Sequence, residues 1–537
     1  MPPRFRRPEP MTTFELVPDD EREDAPDPDA DDPGAGSRRL ADLRDRAVTR
    51  WHALSRRGRV AVAAGTAAVV VAAATAAVAP GLLDARAERL RAEAVAGLPG
   101  VVSDLSEPLA ETWELANGRG AIATLPGGLV LTIEGTAVSA LDAGTADEAW
   151  RREVGPYLTC GPPQGHREDP VAPSDVVVCL SGESDDRAVT VLDAAGDVVG
   201  ERSLGPARVD AFDEAAPDDA PIVVPAAAGA IAVVEGATNA TAPWPADDLP
   251  DEDTLRELRA DGWVDPTLRL EDALTGEVRG EATLRLRPQD LEECGMMQDD
   301  GSAPELTVDP TVDASVSVAT LSVCGAVAHL TPDGTVLDTG AADGWAVPLP
   351  GGGHVVAGAE STVLDAEGSV VVTVPGWLVP PMVDDAPHSS YLALAGLGED
   401  SGELRLASYG PDGTERWTAA SEEYGAVLAR VAGVVVVQGE SGFAGLDAAT
   451  GDELWTRDDV LRGTGSPAGD WVAGAVTDGT RLLVGVSGGD GRGHRLVTLD
   501  LRDGTTAWER RQPGFLEWLR SVGGHVVSFD GTTHGLG

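Results

Sequence analysis

An all-β fold arranged as a β-propeller is predicted for most of this chain by short strands, tight turns and a recurring tryptophan. Apolar runs of strand length, rich in β-branched residues, recur along the sequence and end at or near glycine, as expected for many short strands. These runs are "GGLVLTIEG" at 127, "SDVVVCLSG" at 174, "APIVVPAAAG" at 220, "GHVVAGAE" at 353, "SYLALAGLG" at 390, "AGVVVVQGE" at 432, "TRLLVGVSG" at 480 and "GGHVVSFDG" at 523.

Eight turns rich in Asp and Gly punctuate these strands. Most of the apolar runs are followed by a second short run and then by such a turn. The turns are "LDAGTAD" at 141, "LDAAGD" at 192, "LEDALTGE" at 270, "LTPDGT" at 330, "LDAEGS" at 364, "YGPDGT" at 409, "LDAATGD" at 446 and "LDLRDGT" at 499. Asp and Gly tolerate the positive φ of tight hairpin turns, so each turn is predicted to join two strands.

Three of the turns lead to a tryptophan in the same register. "LDAGTADEAW", "LDAATGDELW" and "LDLRDGTTAW" are near-copies that end at Trp150, Trp455 and Trp508. Near-copies this far apart indicate an internal repeat, and four-stranded units of roughly 40 to 55 residues are typical of a β-propeller.

This pattern of strand, Gly, strand and "LDAxTGxxxW" resembles the pyrrolo-quinoline-quinone (PQQ)-like repeat. The family includes quinoprotein dehydrogenases, the lipoprotein propeller of the outer-membrane β-barrel assembly machinery, and sensor domains of membrane-bound bacterial kinases. The resemblance covers about 107–537, is strong at 141, 409, 446 and 499, and is weak between 206 and 350. It implies eight blades, with seven to nine compatible with the turns. It also implies that Trp150, Trp417, Trp455 and Trp508 pack between neighbouring blades.

The two ends of the array predict how the ring closes. The last repeat stops at "HVVSFDGTTHGLG", before any LD turn or tryptophan. The missing part stands at the start of the array as "EPLAETWELANG", residues 107–118, with Trp113 at the expected place. A strand from the beginning of the array is therefore predicted to complete the last blade.

A membrane anchor is predicted ahead of the propeller. Residues 60–83 contain no charged side chain, and a helix of that length spans a bilayer core of ~30 Å. A buried soluble helix rarely runs so long without a charge, and a cleaved signal peptide would need an n-region of unusual length. Residues 1–59 are predicted to form a disordered tail, acidic and then arginine-rich, and 84–106 a helical stalk. The flanking arginines place the N-terminus in the cytoplasm and the propeller outside the cell membrane.

Two further features concern the propeller itself. An insertion is predicted near 239–264, where "WPADDLPDEDTLRELRADGW" resembles an acidic cap followed by a short helix. The four cysteines, Cys160, Cys179, Cys294 and Cys324, all follow the predicted anchor, which favours disulfides in an oxidising exterior. Of the three pairings, Cys160–Cys179 and Cys294–Cys324 are nearest in sequence. A zinc site is the alternative, but no CxxC motif accompanies the scattered histidines.

Composition and motifs argue against several activities. The formal charge of −49 repels phosphate backbones, so no nucleic-acid partner is expected. The chain has no lysine, which removes Schiff-base chemistry and a P-loop lysine. The family resemblance implies that a quinone-dependent dehydrogenase carries adjacent cysteines and a calcium held by Glu, Asn and Asp. This sequence has no Cys-Cys pair and only Asn117 and Asn239.

No catalytic, cofactor-binding or metal-binding residue is therefore assigned. Acidic clusters such as "DDLPDED" at 247 lack the loop pattern of an EF-hand and are interpreted as solvated. The predicted function is a membrane-anchored binding or scaffolding module for an extracytoplasmic protein or cell-envelope ligand, not an enzyme. An extracellular enzyme that uses the propeller funnel, or a factor for assembling envelope proteins, are the alternatives.

Overall fold

A computed structural model describes residues 89–537 of the chain apart from short stretches. The stretches left out are 116–120, 163–172, 210–215, 218–219, 237–239, 244–250, 261, 289, 292–294, 297–304, 309, 338–343, 350–351, 359, 397–403, 420–423, 459, 462–468 and 490–492. In the described part, β-strands dominate, and the α-helical segments are 89–95 (α1) and Glu252–Ala260 (α2).

The first blades follow one another along the chain after strand β1 (Glu111–Glu114). Blade 1 contains β2 (Ala121–Leu125), β3 (Leu129–Glu134), β4 (Ala137–Asp142) and β5 (Glu148–Glu153). Blade 2 contains β6 (Thr159–Gly161), β7 (Val176–Ser181), β8 (Arg187–Asp193) and β9 (Val198–Gly205). In each blade the strands pair with their sequence neighbours in antiparallel fashion, from the innermost to the outermost.

Blade 3 is interrupted by the insertion. It contains β10 (Ile222–Pro225), β11 (Ala230–Glu235), β13 (Thr267–Asp272) and β14 (Val278–Thr283). Between and after these strands, β12 (Ala240–Pro243), β15 (Gly295–Met296) and β16 (Glu305–Val308) form a small separate sheet. Helix α2 begins after Asp251, whose Oδ1 accepts the Thr254 amide hydrogen at 3.0 Å, and it buries Leu255 and Leu258 against blade 3.

The second half of the ring continues the same order. Blade 4 contains β17 (Thr311–Ala314), β18 (Ala319–Val323) and β19 (Ala326–Leu330); blade 5 contains β20 (Trp345–Pro348), β21 (His354–Ala357), β22 (Glu360–Leu364) and β23 (Val370–Pro375). Blade 6 contains β24 (Trp377–Leu378), β26 (Tyr391–Gly396), β27 (Leu404–Tyr409) and β28 (Glu415–Thr418). Between β24 and β26, the loop of blade 6 carries β25 (Val383–Asp384).

Three blades complete the array. Blade 7 contains β29 (Val427–Val431), β30 (Val434–Gln438), β31 (Phe443–Asp447) and β32 (Glu453–Arg457), and β25 pairs in parallel with its innermost strand. Blade 8 contains β33 (Asp470–Thr477), β34 (Arg481–Gly488), β35 (His494–Asp500) and β36 (Thr506–Gln512). Blade 9 contains β37 (Trp518–Val522), β38 (His525–Phe529) and β39 (Thr533–Leu536), with β1 as its outermost strand.

The described residues therefore form nine blades, one more than the predicted eight and within the predicted range of seven to nine. Each of the eight Asp/Gly turns belongs to a blade of its own, including the divergent turns at 270 and 330. The ninth blade has no such turn because its outer strand comes from the start of the array. The predicted closure is confirmed: Trp113 of β1 pairs with Gly535 of β39.

The hydrophobic core lies between adjacent blades, and this position explains where the sequence has continuous apolar runs and where apolar and polar residues alternate. Inner strands are covered on both faces by neighbouring blades, so they read as continuous apolar runs, as in β30, where Val434–Val437 are buried. Outer strands alternate, as in β32, where only Trp455 is buried. One buried cluster joins Leu392 and Leu406 of blade 6 to Val435 and Val437 of blade 7.

Within the described part of the chain, no helix is long and apolar enough to cross a membrane. The predicted spanning segment at 60–83, the predicted tail at 1–59 and the first residues of the predicted stalk lie outside the described residues.

Candidate functional site

A repeated contact between each tryptophan and the turn of the next blade organises the ring. The indole N–H of Trp455 donates to the carbonyl oxygen of Leu501 at 3.0 Å, in the Asp/Gly turn of blade 8. The same bond joins Trp113 to Ala143, Trp150 to Ala194 and Trp417 to Ala448, at 3.0 to 3.1 Å. Trp113, Trp417, Trp455 and Trp508 are also buried, so these side chains pack between blades and fix their register.

The turn that receives each tryptophan is shaped by its aspartate and its glycine. In blade 7, Asp447 Oδ1 accepts the amide hydrogens of Ala449 and Thr450 at 2.9 and 3.0 Å. Gly451 then adopts a φ of +74°, and a Cβ atom at this position would lie 2.5 Å from the ring of Trp417. Glycine is therefore required both by the backbone angle and by the flat side chain lying on it.

Trp508 has no such turn to meet, because blade 9 lacks one. Its indole N–H donates instead to the carbonyl oxygen of Leu105 at 2.9 Å. Leu105 is fully buried, and its own amide donates to Asp478 at 3.1 Å. Val101 forms a parallel bridge to Thr477, at the end of the innermost strand of blade 8. The segment just before β1 thus replaces the missing turn and belongs structurally to the propeller.

Blades 2 and 3 join their neighbours without tryptophan, and no motif in the sequence predicts the contacts that replace it. Gly200 takes the position of the tryptophan in blade 2, and a Cβ there would lie 2.9 Å from Leu274 of blade 3. In blade 3, Arg279 takes over the hydrogen bond and donates to the carbonyl oxygen of Pro332 at 3.1 Å. Its guanidinium also pairs with Asp272 at 2.9 Å. The only sequence signal for these contacts is the absence of tryptophan from turns that otherwise fit the repeat.

Two buried histidines join blades 4 and 5. His329 Nε2 lies 2.8 Å from the carbonyl oxygen of Gly344, and its Nδ1 lies 2.9 Å from Thr320 Oγ1. Because a carbonyl oxygen only accepts, Nε2 carries the proton and Nδ1 accepts from the threonine hydroxyl. His354 donates from Nε2 to the carbonyl oxygen of Ser317 in blade 4 at 3.1 Å. Both histidines therefore hold blades 4 and 5 together.

We expect His329 to make the ring sensitive to acid. Burial lowers its pKa from 6.5 to about 4, although the hydrogen bond to Gly344 opposes the shift. Below pH 6.5 the unfolded chain binds a proton that the folded chain refuses, so stability falls as the pH drops towards 4. This loss reaches about 2 kcal/mol at pH 5. Urea unfolding of the wild type and His329→Gln at pH 7 and pH 5 measures it: the variant should lose correspondingly less stability. Equal losses would contradict the prediction.

One of the two predicted disulfides is fully visible. Cys160 and Cys179 face each other on β6 and β7 and are bonded. Cys324 is also disulfide-bonded, and its predicted partner Cys294 lies outside the described residues. The Cys160–Cys179 bond ties the innermost strand of blade 2 to its neighbour.

A buried ion pair lies on the inner side of blade 7. Arg430 of β29 holds Asp384 of β25 through Nε at 2.8 Å and Nη2 at 2.5 Å. Its Nη1 also donates to the carbonyl oxygen of Ser390 at 2.7 Å. The adjoining cavity, lined in part by His388 and Tyr391, has a volume of about 20 Å³, room for about one water molecule. This cluster fixes the loop of blade 6 against blade 7.

A second polar group lies at the ring closure. Glu111, Glu114 and His534 bring their ligand atoms within 4.8 Å of one another, on the paired strands β1 and β39. Both glutamates are exposed, and His534 contacts Asp530 at 3.0 Å. We interpret the group as polar contacts across the closing strands.

The outer surface differs around the ring, and this difference is the candidate binding feature. At the first position of the outermost strand, blades 1, 6 and 7 carry glutamate and blade 8 carries threonine. Blades 2, 3 and 5 carry valine at this position, and blade 4 has a valine at the equivalent place after its turn. These valines are 42 to 62% exposed, and the set is Val198, Val278, Val336 and Val370, with Val199 and Val371 exposed beside them. Exposed apolar patches often mark interaction sites.

Comparisons with known proteins found a family model and solved structures that resemble parts of this chain. A family model described as outer membrane protein assembly factor BamB matches residues 387–522. No curated protein sequence matches the chain. Among solved structures, BamB from Moraxella catarrhalis is 13% identical with a TM-score of 0.36, covering 80% of this chain and 99% of its own. The quinohemoprotein alcohol dehydrogenase ADHIIG from Pseudomonas putida HK5 is 13% identical with a TM-score of 0.29, covering 78% and 71%.

The matched residues span blades 6 to 9, where the tryptophan and its turn are most regular. The same turn geometry continues into blades 1 to 3, where Asp142 and Asp272 each accept amide hydrogens from their own turns. Residues 387–522 therefore match a model of the PQQ-like repeat family, and the other described blades have the same antiparallel β-propeller architecture.

Proposed function

We propose that this chain is a membrane-anchored, extracytoplasmic propeller that binds or scaffolds a protein or cell-envelope ligand. The observation that carries the proposal is the set of exposed valines on the outer strands of blades 2, 3 and 5 and beside blade 4. An interlocked ring of nine blades holds these strands in fixed positions, as a docking surface requires.

The inner contacts support the same function. The ionisable groups buried between blades, among them Arg430, Asp384, His329 and His354, are hydrogen-bonded to groups of the protein itself. Side chains engaged in this way stabilise the fold and are poorly placed to act on a substrate. The bonded pair Cys160–Cys179 fits an oxidising compartment outside the cytoplasm, in line with the predicted anchor at 60–83.

A role in assembling envelope proteins is the second candidate. The family model that matches residues 387–522 is described by an outer-membrane assembly factor. Under this candidate the ligand is a protein in transit or an assembly partner, and the same exposed valines are available to contact it.

The proposal is tested by crosslinking in native membranes. The full chain is compared with a triple variant, Val199→Glu, Val278→Glu and Val371→Glu, and with a control in which Glu148 and Glu453 become Gln. We expect the wild type and the control to crosslink to the same extracytoplasmic partner and the triple variant to lose it. An identical set of crosslinks in all three proteins contradicts the proposal.

A further inference from the structure

The outermost strand of blade 5 differs from its counterparts in every other four-stranded blade that the structure describes. Strand β23 reads VVVTVP and has no charged residue. The other outermost strands each carry at least two: EAWRRE, VVGERSLG, VRGEAT, ERWT, ELWTR, TAWERRQ and ETWE. Charges on edge strands discourage pairing with other chains, so β23 lacks the usual protection.

Strand β23 is held firmly from within and open on its outer side. Val374 is fully buried, and Val372 lies against the turn of blade 6, where a Cβ at Gly413 would be 2.9 Å from it. Val370 and Val371 are 62 and 49% exposed. Among the described residues, the strand pairs with β22 only, so one row of its backbone groups has no partner strand there. A β-branched strand in this state is a good template for a further strand.

The surroundings of β23 select the charge of what binds there. Between Arg287 and Arg405 the chain contains no arginine or lysine. Exposed Glu360 and Glu367 lie in blade 5 itself. On the outermost strand of blade 6, exposed Glu415 is followed by the exposed Arg416, so the nearest charges described are mainly acidic. An added strand with basic flanks therefore gains electrostatic attraction, whereas a second copy of this acidic chain is repelled.

We propose that β23 docks an extended, β-branched segment of another protein, flanked by basic residues, as an added strand along Val370–Val374. Pro375 has no N–H, and Gly376 turns the chain with a φ of +84°, so pairing ends at Val374. The inference rests on the proposed binding function and names the chemistry of its partner.

The test uses the full chain and a labelled peptide, Arg-Arg-Thr-Val-Thr-Val-Thr-Arg-Arg, followed by fluorescence anisotropy. We expect saturable binding to the wild type, and Val371→Arg to weaken it about tenfold or more by placing a cation at the edge. Leu454→Arg is the matched control, because Leu454 is 48% exposed at the same second position of its outermost strand, the charged strand β32. It should bind as the wild type does. A peptide with glutamates in place of the arginines should bind at least about tenfold more weakly.

Two outcomes overturn the inference. Equal binding to the wild type and Val371→Arg, with both melting at the same temperature, places the peptide elsewhere. Concentration-dependent dimers that Val371→Arg abolishes identify a second copy as the occupant instead. If the membrane partner crosslinks to the wild type and not to the triple variant, but Val371→Arg leaves peptide binding unchanged, the inference fails and the proposed function stands. If neither the partner nor the peptide binds, both fail.

Discussion

Replacing Asp384 by alanine is expected to lower the free energy of unfolding by about 3 to 5 kcal/mol, because it leaves the buried Arg430 cation without its partner. Both side chains are at most 6% exposed. The lost carboxylate accepts hydrogen bonds from Nε and Nη2 of the guanidinium. The adjoining cavity has room for only about one water molecule, so solvent replaces little of the lost carboxylate.

A double variant separates the cost of the orphaned charge from the value of the pair. Asp384→Leu combined with Arg430→Met removes both charges and keeps an apolar filling, so it should recover most of the loss. Urea unfolding of the single and double variants at pH 7 measures the difference. If the double variant is as unstable as Asp384→Ala, removing the orphaned charge brings no recovery. The stability of this region then depends on the hydrogen bonds that Arg430 donates to the carbonyl oxygens of Ser390 and Ala386.

The sequence identified the repeat because its parts are local. An aspartate, a glycine with positive φ and a tryptophan lie within ten residues, so the turn at 446–455 can be predicted without knowledge of the fold. Closure of the ring by the strand of Trp113 could be predicted in the same way. The last repeat is truncated, and the fragment at the start of the array supplies the part that it lacks.

The contacts that join neighbouring blades from blade 2 to blade 5 could not be predicted from the sequence, for a physical reason. Leu274, Arg279 and His329 each contact a partner in a neighbouring blade, and no local pattern marks such a residue. The blade count was one short because blade 9 takes its outer strand, β1, from the start of the array and has no Asp/Gly turn of its own. Strand β25 was missed because two residues that pair in parallel with another blade leave no periodicity.

Gly451→Ala is expected to lower the free energy of unfolding by about 4 kcal/mol, combining a strained backbone with a collision against the neighbouring blade. The positive φ costs about 1 to 2 kcal/mol for any residue with a Cβ. The remainder comes from the ring of Trp417, which must move away from the new methyl group and so loses its packing.

Gly433→Ala provides a matched control, because it isolates the backbone contribution. Gly433 has a φ of +80°, and a Cβ there meets nothing within 4 Å. Its alanine variant should therefore lose only about 1 to 2 kcal/mol. Trp417→Ala in the Gly451→Ala background should cost less than the sum of the two single changes, since the collision is then absent. If Gly433→Ala and Gly451→Ala unfold at the same urea midpoint, the tryptophan does not restrain the turn, and the interlock between blades contributes little to the stability of the ring.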